Sequence, residues 1–157
     1  MMGAAFFTTT INEQIPITIP ALSAPLIIPE VDDGAILLWT DINSTIRGIS
    51  LVDGIIFLEL SGTYYIGVDV TYFGNSVFRA NVQTFLTDGL NVLPNTVAFS
   101  HHQTTNSGAM TTHIDYVITI EEPTPIIVRA QALNIHPMLN PPGTLALGTR
   151  AIVRRVK

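Results

Sequence analysis

The chain contains no cysteine and only one lysine, Lys157. Without thiols there is no disulfide framework, no thiolate zinc site and no cysteine nucleophile. Charged residues make up 12% of the sequence, against about 25% in an average domain. Such a sparse polar rind points to a surface that neighbours partly cover. The net charge of −5 is modest, and basic residues gather only at Arg150–Lys157. Binding nucleic acid through phosphate neutralisation is therefore not expected. No run of about 20 apolar residues is free of proline or charge, so no membrane span is expected. The start, MMGAAFFTTT, has no basic n-region and makes a poor secretory signal. No G-x-S-x-G elbow, P-loop or dinucleotide glycine fingerprint occurs. Nothing else in the sequence suggests a catalytic centre, so no enzyme activity and no cofactor are expected.

What is present falls into two zones. Residues 1–30 contain IPITIPALSAPLIIPE, with prolines at 16, 20, 25 and 29. Proline at that spacing forbids a regular helix and removes sheet donors, so an extended arm is predicted. Disordered linkers are usually polar, whereas this stretch is rich in Ile and Leu. Ile15, Ile19, Leu26 and Ile27 are its expected contacts, on its own domain or on a neighbouring subunit.

Residues 31–157 read as one domain of short strands. A chain of 157 residues can bury roughly 68–70% of its unfolded surface. Candidate strands are Ala35–Thr40, Ile55–Leu60, Thr63–Phe73, Ser76–Leu86, Asn91–Phe99, Thr112–Glu121, Ile126–Asn134 and Leu145–Val156, with a weaker signal at Thr45–Leu51. Asp-Gly, Ser-Gly, Gly-Asn and Pro-Pro-Gly separate them, as turns require. The class is all-β, a sandwich or barrel of about 8–10 antiparallel strands.

The stretch LSGTYYIGVDVTYF, Leu60–Phe73, divides by the strand period of two. Tyr64, Ile66, Val68, Val70 and Tyr72 form an apolar face for the core. Tyr65, Gly67, Asp69 and Phe73 share the other face, which mixes aromatic anchors, a close-approach glycine and one acid. That mixture suits a contact between subunits. Asp69 then needs a cation, with Arg79 or Arg129 as the expected partner, because an unpaired charge in an interface is costly.

Other clusters carry weaker signals. His101, His102 and His113 flank one predicted loop and read as a polar cluster rather than a metal site. Asp32-Asp33-Gly34 and Asp53-Gly54 lack a calcium-loop pattern and read as turns. Glu59 and Asp69 show nothing that would fix them as a catalytic pair. In TRAIVRRVK, Arg150, Ile152 and Arg154 share one face of a strand expected at a sheet edge, where charge guards against aggregation.

The segment Gly62–Ile66 resembles the G-x-Y-x-[IV] strand of tumour necrosis factor-like jelly rolls. That superfamily includes complement-type globular heads and the BclA-type C-terminal heads of spore-surface glycoproteins. The closing GTLALGTRAIVRRVK is similar to their last strand. The resemblance covers roughly Ala35 to Val156. It implies a jelly-roll sandwich, usually a tight homotrimer, acting by binding or as structure. There is no Gly-X-Y stalk, and the cysteines of some receptor-binding members are missing, which argues against a cytokine role. The expected function is a non-enzymatic structural subunit of a virion, phage or spore surface, with a homotrimer and other structural subunits as partners. A carbohydrate- or receptor-binding head on the same fold is the alternative.

Overall fold

The computed structural model describes residues 3–8, 30–44, 47–74, 78–104, 108–134, 144–145 and 149–157. Among them there are twelve strands: β1 Ala4–Thr8, β2 Ala35–Ile36, β3 Thr40–Ser44, β4 Ile49–Val52, β5 Ile55–Leu58, β6 Gly62–Gly74, β7 Phe78–Thr87, β8 Ala98–Thr104, β9 Gly108–Ile120, β10 Thr124–Asn134, β11 Thr144–Leu145 and β12 Arg150–Arg155. They build two antiparallel sheets. In the first, β6 lies between β9 on one side and β12 with β11 on the other, and β1 and β3 follow beyond β12. In the second the order is β4-β5-β10-β7-β8, with β2 also paired to β10. The expected all-β jelly-roll sandwich is what forms.

The core lies between the sheets and follows the alternation of each strand. Tyr64, Ile66, Val68 and Val70 of β6 are buried, as are Ala151 and Val153 of β12 and Ile114 and Ile120 of β9. Across from them stand Ile56, Leu58, Leu86, Ile126, Val128 and Ala130. The inward face predicted for Leu60–Phe73 is therefore correct at each of these four β6 positions. The Tyr64 hydroxyl escapes an unsatisfied burial by donating to the Leu60 carbonyl at 2.7 Å. Tyr64→Phe is expected to cost about 1 kcal/mol in a urea melt, the net worth of one such bond. Thr84 and Thr112 share a 2.7 Å hydroxyl hydrogen bond in the buried space.

Several boundaries differ from expectation. β12 is not an edge strand, because β1 pairs with its free side, from Ala4↔Arg154 to Thr8↔Arg150. The first residues of the presumed arm are thus a sheet strand, with Ala5 and Phe7 in the core. Residues 9–29, including Ile15, Ile19, Leu26 and Ile27, lie outside the described residues. The predicted strand Ala35–Thr40 is split: β2 pairs with β10, and from Thr40 the chain pairs with β1 in the other sheet. Asn91–Phe99 is mostly a turn, held by Thr96 donating to the Leu93 carbonyl at 2.7 Å, with Asn95 at φ 61°. The strand begins only at Ala98 and runs through His101 and His102.

The Asp-Gly sites are turns, as expected. Asp53 and Gly54 have φ of 51° and 79° between β4 and β5, the paired positive values that a two-residue hairpin turn demands. Asp33 accepts from the Glu30 amide at 2.8 Å and so closes its own turn.

Candidate self-association face

The outward face of the first sheet is built by register. Three rows cross β9, β6, β12 and β1: His113–Asp69–Arg150–Thr8, Asp115–Gly67–Ile152–Phe6, and Val117–Tyr65–Arg154–Ala4. Threonine pairs flank them, Thr71 with Thr111 at 3.1 Å and Thr63 with Thr119 at 2.9 Å.

Asp69 receives two compensating contacts, one from each neighbouring strand. Its Oδ2 accepts from Arg150 Nε at 3.1 Å, and its Oδ1 faces His113 Nδ1. The same imidazole presents Nε2 to Asp115 Oδ2 at 2.8 Å, and the Tyr65 hydroxyl donates to Asp115 Oδ1. Arg154 stacks over the Tyr65 ring, 5.0 Å from its centroid, a cation–π contact. The result is one continuous chain, Arg150–Asp69–His113–Asp115–Tyr65–Arg154.

The electrostatics follow from the contacts. Hydrogen bonds to Asp69 and then Asp115 raise the His113 pKa above its ordinary value of 6.5, against a smaller opposing effect of burial. Burial pushes the Asp69 carboxyl up, but bonds from His113 and Arg150 outweigh it and hold it below 3.8. Asp115 is lowered by Tyr65 and His113, and Tyr65 is raised by Asp115. The His113 contribution to stability is complete below pH 6.5 and is lost as pH rises through its raised folded value. The two carboxylates contribute above pH 3.8 and lose their effect as pH falls through their depressed values. The network is whole between those limits.

The expected partner of Asp69 was wrong. Arg79 lies on β7 and Arg129 on β10, both in the other sheet. Arg129 instead donates to the carbonyls of Asp32 and Gly34, at 2.9 Å each. Arg150 is the partner, and its alternation in TRAIVRRVK was visible, though its register against β6 was not. Gly67 also has a different use. A Cβ there would sit 2.8 Å from the Tyr65 hydroxyl and 3.1 Å from Ile152 Cγ2. Its missing side chain lets Tyr65 lie across β6 and reach Asp115. Phe73 is on β6 opposite Ala109 and Thr144.

Glu59 accepts from Ser50 at 2.7 Å and is not brought to Asp69. His101 and His102 pair with Asn81 and Ala80 on β7, whereas His113 pairs with Asp69; the three histidines do not form one loop. Among the described residues no group of three or more His, Asp or Glu converges as a metal site, and no helix is long and apolar enough to cross a membrane.

A depression of about 390 Å³ opens on this face, walled by Phe6, Tyr65 and Ile152 and closed at one end by Asp69, His113 and Arg150. Phe6 is 37% and Val117 60% exposed.

This sandwich, with its G-x-Y strand inside the first sheet and Tyr64 buried, has the fold of a tumour necrosis factor-like jelly roll. Solved structures of that kind superpose over nearly the whole chain. Murine APRIL at pH 5.0 matches with a TM-score of 0.63 at 13% identity, over 99% of this chain and 100% of that one. Eiger TNF from S. frugiperda matches with a TM-score of 0.61 at 12% identity, over 99% of this chain and 93% of that one. At such identities the likeness is one of fold. No protein-family model and no curated protein sequence matches the chain.

Proposed function

We propose that the chain is a non-enzymatic structural subunit that assembles as a homotrimer through the outward face of β9, β6, β12 and β1. The observation that carries this reading is the internal pairing of that face's charges. Asp69, Asp115, Arg150 and Arg154 each have a partner within the same chain, so a second copy could cover them without burying an unpaired charge. Phe6, Ile152 and Val117 supply apolar area between them. The low charged fraction and the apolar proline-rich arm support a place in a larger shell, and a virion, phage or spore surface is the setting we assign. The chain's own arm, including Ile15, Ile19, Leu26 and Ile27, would hold neighbouring subunits there.

The absence of native cysteine makes a direct test clean. Val117→Cys places a single thiol on the proposed face, and Val52→Cys places one on an exposed position of β4, in the second sheet. Under assembling conditions the Val117→Cys thiol is expected to alkylate several-fold more slowly than the Val52→Cys thiol. Equal rates in an assembled oligomer would mean that another face makes the contact.

A further inference from the structure

We propose that this face is a proton-gated self-association surface: copies of the chain close on one another with uptake of a proton at His113, and they separate as that proton is lost. The inference rests on the homotrimer reading and adds its regulation.

The argument begins with donors and acceptors. Both ring nitrogens of His113 point at carboxylate oxygens, Nδ1 at Asp69 and Nε2 at Asp115. A neutral imidazole has one N–H and one lone pair, so it can serve only one of them. The doubly protonated ring serves both. The other oxygens of the two carboxylates are already engaged, by Arg150 on Asp69 and by Tyr65 on Asp115, so neither acid can turn away without breaking a second bond.

The charged and titratable groups around His113 are few. β6 contributes Asp69 and Tyr65, β12 contributes Arg150 with Arg154 beyond it, and β9 itself contributes Asp115. β1 brings only Ala4, Phe6 and Thr8 to this side of the sheet. With His113 charged, the two carboxylates face two cations, His113 and Arg150. Without that proton Asp115 touches no cation, its contacts being the Tyr65 hydroxyl and a neutral ring, and one lone pair is aimed at a carboxylate.

In the free chain water tolerates either state, because the His113 and Asp115 side chains are 55% and 58% exposed. Once a neighbour excludes water, the unpaired Asp115 charge and the lone-pair contact become expensive. Assembly therefore favours the protonated ring, and by linkage protonation favours assembly. With one proton taken up per subunit of a trimer, the midpoint concentration for assembly can rise by up to about 30-fold per pH unit as His113 titrates.

The test is sedimentation velocity across a concentration series of the full chain, from pH 5.5 to pH 8.5, on the native protein and on His113→Gln. Glutamine keeps a polar side chain but cannot donate to both carboxylates as a cation. The native midpoint is expected to climb with pH, while His113→Gln stays weakly associated with a flat profile. The His113 ring resonance, assigned by its loss in the variant, is expected to titrate at higher pH in concentrated than in dilute samples. A trimer whose midpoint ignores pH, or a slope retained in His113→Gln, would overturn proton gating and leave the homotrimer standing. A monomer at every pH and concentration would overturn the homotrimer and the gate with it.

Discussion

Phe7→Ala is expected to destabilise the domain by about 3–5 kcal/mol, the usual cost of emptying a buried aromatic site. Phe7 is 1% exposed and shares the core with Ala5, although both lie in the segment that composition alone assigns to an arm. Set against a typical total of about 5–15 kcal/mol, the loss brings the fold near its limit. The neighbouring Phe6 is the internal control. It points outward on the same strand and is 37% exposed, so Phe6→Ala should cost much less in the same guanidinium titration. Equal costs would mean that β1 does not sit between β12 and β3. The same reasoning changes what deletion of residues 1–29 should do. It removes β1, bares one side of β12, and uncovers Ala151 and Val153, so an unfolded or insoluble product is expected instead of a shortened but folded head.

Tyr65→Glu is expected to abolish assembly while leaving the subunit folded. Tyr65 is only half-buried in the single chain, so its replacement spares the core. On the outward face, however, the change removes the donor to Asp115 and the ring beneath Arg154, and it sets a second carboxylate near Asp115. Arg154 can answer the new carboxylate, but Asp115 is left with a like charge in place of its phenol donor, and covering a charge so short of partners costs about 3–5 kcal/mol, or more than a hundredfold in affinity for each copy of the contact. Phe73→Glu tests the far end of the same strand. Native mass and far-ultraviolet circular dichroism read the two halves of the prediction: monomers with an unchanged β spectrum. Normal oligomers from both variants would place the contact elsewhere.

Much of this was legible in the sequence where one period and one face decide the answer. Tyr64, Ile66, Val68 and Val70 sorted correctly because a slip of one residue would have turned them out to water. Asp53-Gly54 was read as a turn because few other pairs tolerate two positive φ values. What could not be read was pairing between distant segments. Asp69 meets Arg150, 81 residues away, and β1 meets β12 across almost the whole chain. Alternation says which face a residue takes, but not which strand lies beside it. Arg79 and Arg129 were the expected cations for Asp69, and both lie in the other sheet. The histidines misled for a related reason: His101 and His102 sit on β8 and His113 on β9, strands that belong to different sheets. At Gly67 the sequence did not show that Tyr65 of the same chain occupies the space a side chain would fill.

The central claim is that copies of this chain meet through the face that holds Tyr65, Asp69 and His113. The most direct measurement is the native mass of the full chain near pH 6, where its charge network is complete. The account predicts a single species at three times the 17.0 kDa chain mass, reduced to the chain mass by Tyr65→Glu. A native protein that stays at the mass of one chain at high concentration would contradict it.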